Sequence, residues 1–172
     1  IGSDLFLTTT IAQDAHPDVA AAEEAELRTV LVRLYEEMGG ENWFTDWDGN
    51  PTDGNWCSDK SIYEWRGVRR SFDDNRWHMQ GAGQITEVSL SDANISGTFP
   101  EGIFSGAKNV LFEFLMFNGE FVDIEGELNS KHLEGVENFG LNISGTGVTK
   151  VDVADTEGLV FLSVSDDCEE LN

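Results

Sequence analysis

The chain has 172 residues, 40% of them hydrophobic, and carries 10 lysines and arginines against 33 aspartates and glutamates, a formal net charge of -23. That length fits one domain, or one domain with a small appendage. The charge repels phosphate backbones and anionic headgroups, which excludes nucleic acid and lipid surfaces as expected partners.

No stretch approaches the roughly 18 apolar residues of a membrane span. Two cysteines, Cys57 and Cys168, are too few for a disulfide framework. Residues 1–17 form an N-terminal arm without periodicity that ends in His16-Pro17. Ile1 to Thr10 lacks the basic and long apolar regions of an intact secretory signal, as would a mature chain already trimmed of its targeting segment. The arm is read either as a frayed tail or as a strap along its own chain or a neighbour.

Residues 18–84 are expected to form a helical, Trp-rich N-terminal cap. Asp18 is placed to cap a helix, and Glu23, Glu24 and Glu26 load its early turns with negative charge. Leu27, Val30, Leu31, Leu34, Tyr35 and Met38 recur on one face, and Gly39-Gly40 ends the pattern. An irregular segment follows with all five tryptophans, Trp43, Trp47, Trp56, Trp65 and Trp77. Large rings there suit a plug over the end of a hydrophobic core.

Residues 85–172 carry a different period. In ITEVSLSDANISGTFP, Ile85, Val88, Leu90 and Ile95 precede Gly97 and a Phe99-Pro100 exit, the pattern of one leucine-rich repeat. The same frame falls at Leu111/Phe114/Met116, Val136/Phe139/Leu141 and Leu159/Leu162/Val164, giving about four irregular repeats at steps of about 26, 25 and 23 residues. Where a ladder asparagine is expected the chain has Ala93, Gly119, Ser144 and Asp167.

The segment GGENWFTDWDGNPTDGNWCSDKSIYEWRGVRR, followed by GQITEVSLSDANISGTFP, resembles the N-terminal cap and first repeat of plant-type leucine-rich-repeat proteins, in the form seen in diatoms and related algae. The resemblance spans 24–100, with the rest matched by period alone. It implies an α/β fold, a short leucine-rich-repeat solenoid with a curved parallel β-sheet behind a helical cap, and a role in recognition. In that family the cap holds a C-x-W-x-G-V-x-C element whose cysteines pair. Here Tyr63 and Arg70 occupy those positions around Trp65, Gly67 and Val68, so that disulfide cannot form. The extracellular or lumenal setting implied by the resemblance is weakened accordingly. Cys57 and Cys168, far apart along the stack, are expected to remain separate thiols.

Catalysis finds no support in the residues. The three histidines, His16, His78 and His132, fall in the arm, the cap and an inter-repeat loop, and no nucleophile elbow, metalloprotease motif, P-loop or dinucleotide fingerprint occurs. Asp46, Asp48 and Asn50 begin like a calcium loop, but Pro51 and Cys57 stand where glycine and glutamate are needed. The expectation is no enzyme, no cofactor and no metal.

Two sequons make Asn94 and Asn142 candidate glycosylation sites, the second where a glycan would crowd the concave sheet. Arg66, Arg69, Arg70 and Arg76 concentrate basic charge in the cap, either pairing internally or docking an acidic partner. The sharpest signal is VLFEFLMF, Val110 to Phe117, apolar at both parities. In the frame above Phe112, Glu113, Leu115 and Phe117 point outward; a register shifted by one turns Leu111, Phe114 and Met116 outward instead. With Val160 and Phe161 they suggest an apolar patch.

The expected function is a non-catalytic scaffold that binds a protein partner through the concave sheet face at Phe112, Leu115, Phe117 and Phe161. The alternative is a permanently bound accessory subunit of a larger assembly, algal if the resemblance holds, docking through an uncapped C-terminal end and the arm.

Overall fold

Acidic residues near the start and leucines at helical spacing produce the one α-helix among the described residues. A computed structural model describes residues 17–45, 49–72, 84–91, 93–113, 123–164, 168 and 170–171. Residues 1–16 of the arm, Trp47, Trp77 and the Asp46/Asp48 pair lie outside these residues. Helix α1, Pro17–Glu37, starts one residue ahead of the expected cap, because proline's fixed φ suits a first helical position. Asp18 therefore lies inside the helix. Leu27, Val30, Leu31, Leu34 and Met38 are buried, and Tyr35 packs against them.

The strands are β1 Phe44–Thr45, β2 Pro51–Thr52, β3 Val68–Phe72, β4 Gln84–Ser89, β5 Ser96–Gly97, β6 Val110–Glu113, β7 Asp123–Asn129, β8 Phe139–Asn142, β9 Gly147–Asp152, β10 Leu159–Ser163 and β11 Glu170–Leu171. One sheet runs β3-β4-β6-β8-β10, and a second runs β5-β7-β9-β11. All their pairings are parallel except β3 with β4. The architecture is mixed α/β, with parallel-dominated sheets and one helix.

Val68, Val88, Phe112, Leu141 and Leu162 align across the five-stranded sheet. The expected frames are thereby corrected: Phe112, not Phe114, answers to Val88, and Leu141, not Phe139, follows it. Val88, Phe112 and Leu141 are fully buried and share one core with Ile124, Leu128, Val148 and Val151 of the second sheet. Phe104, Phe112 and Phe139 pack with ring centroids 4.8 to 5.4 Å apart.

A true internal period runs between two consecutive turns of chain. Gly97 and Gly126, Gly106 and Gly135, and Asn109 and Asn138 are matched pairs, each at a step of about 29 residues and each with nearly equal positive φ. Asn109 and Asn138 adopt the left-handed conformation, which asparagine tolerates, just before β6 and β8. The equivalent turns also stack: Gly102 N donates to Lys131 O at 2.9 Å, and Lys108 pairs with Glu137 at 3.8 Å. His132 takes the place of the buried Ile103. It is itself buried, with Nδ1 accepting from Asn129 N at 2.9 Å.

The cap closes the β3 end. Tyr35, Trp43, Phe44, Trp56 and Trp65 form a chain of ring contacts between 5.0 and 6.4 Å. Trp43 donates to Met38 O at 2.8 Å and Trp56 to Arg66 O at 2.9 Å. Glu24 of the helix accepts from Ser61 Oγ and Ile62 N, tying α1 to the Trp65 turn.

Candidate functional site

Side chains alternate across a strand, so residues between the core rows face the other side of the five-stranded sheet. One outward row is Arg69, Glu87, Leu111, Gly140 and Phe161; the next is Ser89, Glu113, Asn142 and Ser163. A register shift between Leu159 and Phe161 allows Leu159 and Leu162 to share the core side while Phe161 faces outward.

This face is mixed in character. Ile85 and Leu111 are buried against each other with Phe161 packed over them, a second small cluster apart from the main core. Beside it, Arg69 Nε donates to Glu87 Oε2. Burial pushes the Glu113 carboxyl up, Glu87 adds to the rise, and Arg69 and the Ser89 hydroxyl oppose it.

The expected binding residues separate. Phe112 is a core residue, 0% exposed, and its outward assignment is corrected: strand pairing with Val88 turns it inward. Leu111 takes the outward position, as the shifted register anticipated. Leu115 and Phe117 lie outside the described residues. Phe161 is on the outward face and half-buried, and neighbouring Val160 is 44% exposed. Gly140, missed in the sequence, has no side chain between Leu111 and Phe161 in their row and is buried, which lets Phe161 pack against Leu111 across it.

Asn94 is exposed and remains a candidate acceptor. Asn142 is 9% exposed and its Oδ1 accepts from Ser144 N at 3.1 Å, so its reading as a glycosylation site is corrected: the amide sits within its own turn.

Tyr63 and Arg70, which the resemblance aligns with paired cysteines, are in contact, the guanidinium 4.1 Å from the ring centroid. Cys57 and Cys168 are free thiols. Burial and then Glu36 push the Cys57 thiol up, and Arg28 opposes them, which disfavours the thiolate at neutral pH. Among the described residues no group of three or more His, Cys, Asp or Glu is placed to hold a metal ion, and no helix is long and apolar enough to cross a membrane. No protein-family model, curated protein or solved structure matches the chain.

Proposed function

We propose that the chain is a short leucine-rich-repeat scaffold with a plant- or algal-type N-terminal cap, and that it binds a protein partner without catalysis through the outward, concave face of the five-stranded sheet. Two features support the fold reading: the step of about 29 residues, at the upper end of the leucine-rich-repeat range, and the side-by-side placement of Tyr63 and Arg70. The observation carrying the function is Phe161, partly exposed on the outward face where it packs over the buried Ile85 and Leu111, on the same face as the Arg69–Glu87 pair. A partly exposed aromatic ring beside charge on an otherwise polar sheet face is the kind of anchor a protein contact uses. Leu115 and Phe117 follow β6 in sequence and remain candidates for the same contact.

Cross-linking in the native source, followed by capture with a Phe161→Ser variant, tests this reading. Capture should fall at least about tenfold, the scale of one truncated interface aromatic. Unchanged capture with an intact fold would overturn it.

A second reading, a permanently bound subunit, is favoured by the β10 edge, where Leu159, Leu162, Val164 and Cys168 are only partly buried and Val160 is exposed. That edge would then be covered by another chain or by further polypeptide. A Val160→Glu variant that stays monomeric while the parent self-associates or remains complexed would support it.

A further inference from the structure

The groove where the cap meets the sheet stands out for its charge. It has a volume of about 370 Å³ and is lined by Phe44, Arg66, Arg69, Ser89 and Ser91, with the backbone of Gly67 and Val68 as its floor. Among the described residues its lining includes two arginines and no carboxylate, in a chain where acidic residues outnumber basic ones 33 to 10.

Arg66 is held in place on three sides. Its N–H donates to Gly54 O at 2.8 Å, its carbonyl accepts from Trp56 Nε1 at 2.9 Å, and its guanidinium lies 4.4 Å from the Phe44 ring centroid. Stacking occupies the flat face of the guanidinium and leaves its N–H edge free to donate. Among the described residues, that edge has no carboxylate within ion-pair distance, whereas Arg28, Arg33, Arg69, Arg70, Lys108 and Lys131 each have one. Arg69 commits Nε to Glu87 and is otherwise largely exposed, at 70% of its side chain. At the rim Ser89 and Ser91 exchange a hydrogen bond at 3.2 Å. A Cβ on Gly67 would stand 2.2 Å from Ser89 O, so the floor must stay bare backbone.

We propose that this groove binds a carboxylate side chain of an acidic segment in a protein partner, with Arg66 as the forked donor and Ser91 at the rim. The inference extends the sheet-face reading and rests on it for the partner being a protein. A guanidinium stacked on a ring, with no carboxylate partner among the described residues, is oriented to donate two parallel hydrogen bonds to an incoming carboxylate. The overall charge of the chain opposes an acidic ligand at long range, but at about 0.15 M salt the screening length is about 8 Å and the local contact decides.

The test is fluorescence anisotropy with labelled hexaglutamate, with hexaglutamine and sulfated dextran as comparison probes. Hexaglutamate should bind and hexaglutamine should not. Arg66→Gln should weaken binding about tenfold and Arg66→Lys less, since an ammonium has no fork. Lys131→Gln, distant and already paired with Glu101, should change nothing. Ser91→Asp places a carboxylate at the rim without touching Arg66 and should abolish binding, which keeps the test available if Arg66→Gln fails to fold. No hexaglutamate binding, binding indifferent to Arg66 and Ser91, or Arg66-dependent binding of sulfated dextran alone would each overturn the assignment. Groove binding that survives while Phe161→Ser leaves partner capture unchanged overturns the sheet-face reading instead, so the two fail separately.

Discussion

At the β3 end of the five-stranded sheet Leu31, Leu34, Trp43 and Trp65 are exposed by 2% or less, whereas at the β10 end Leu159, Leu162 and Val164 are half-buried and Val160 is 44% exposed. The two ends face the same physical problem, since a strand at the edge of a sheet has core-side residues with no next strand beside them. The cap end solves it locally, with a helix, five linked rings and side-chain hydrogen bonds to main-chain carbonyls. The far end has no equivalent among the described residues. The difference teaches that stability is concentrated at the cap end.

The largest effect should come from Gly67→Ala. Gly67 has φ 84°, and an added Cβ would meet the Ser89 carbonyl at 2.2 Å, so cap and sheet must separate. A loss above about 3 kcal/mol is expected, by thermal denaturation. Gly158→Ala meets the Val136 carbonyl equally closely, yet should release mainly β10, seen as faster hydrogen exchange there with the cap protected. Equal global unfolding in both variants would break the comparison.

Next, Trp43→Ala should cost about 3–5 kcal/mol. Leu162→Ala, at a half-buried site, should cost about 1–2 kcal/mol in chemical denaturation. A reversed order would show that the far end is covered after all. A gain should follow from joining Tyr63 and Arg70. The double variant Tyr63→Cys/Arg70→Cys should form a bond under oxidising conditions and raise stability by about 2 kcal/mol, reversed by reductant. Failure to oxidise would count against the cap resemblance.

The smallest effect concerns pH. Between the ordinary glutamate range and its raised folded value, Glu113 binds more proton in the folded than in the unfolded chain. Its ionised form therefore costs stability above that window, and the cost disappears as pH falls through it. Glu113→Gln should melt slightly higher than the parent at pH 7, with the gap closing by about pH 4. A gap that widens in acid would have the wrong sign.

Much of the cap was legible because its signals are local. The leucines of α1 repeat at helical spacing, and Trp43, Trp56 and Trp65 have few places to go but a core. The strand register was not legible. VLFEFLMF is apolar at both parities, so periodicity cannot say whether Phe112 or Leu111 faces inward. The better signal was glycine and asparagine rather than leucine: Gly97/Gly126, Gly106/Gly135 and Asn109/Asn138 recur at one step because the backbone needs positive φ there.

By itself the sequence determined the acidic surface, the amphipathic helix and the Trp-rich segment, which follow from composition and short-range spacing, while the α/β class came with the resemblance. Only the tertiary structure decided that Phe112 is core, that Asn142 is turned into its own turn, and that Arg66 stacks on Phe44 without a carboxylate partner among the described residues. Those outcomes depend on which strands pair and in what register. Pairing is set by contacts between residues far apart in the chain, and a one-residue slip exchanges the two faces of a strand.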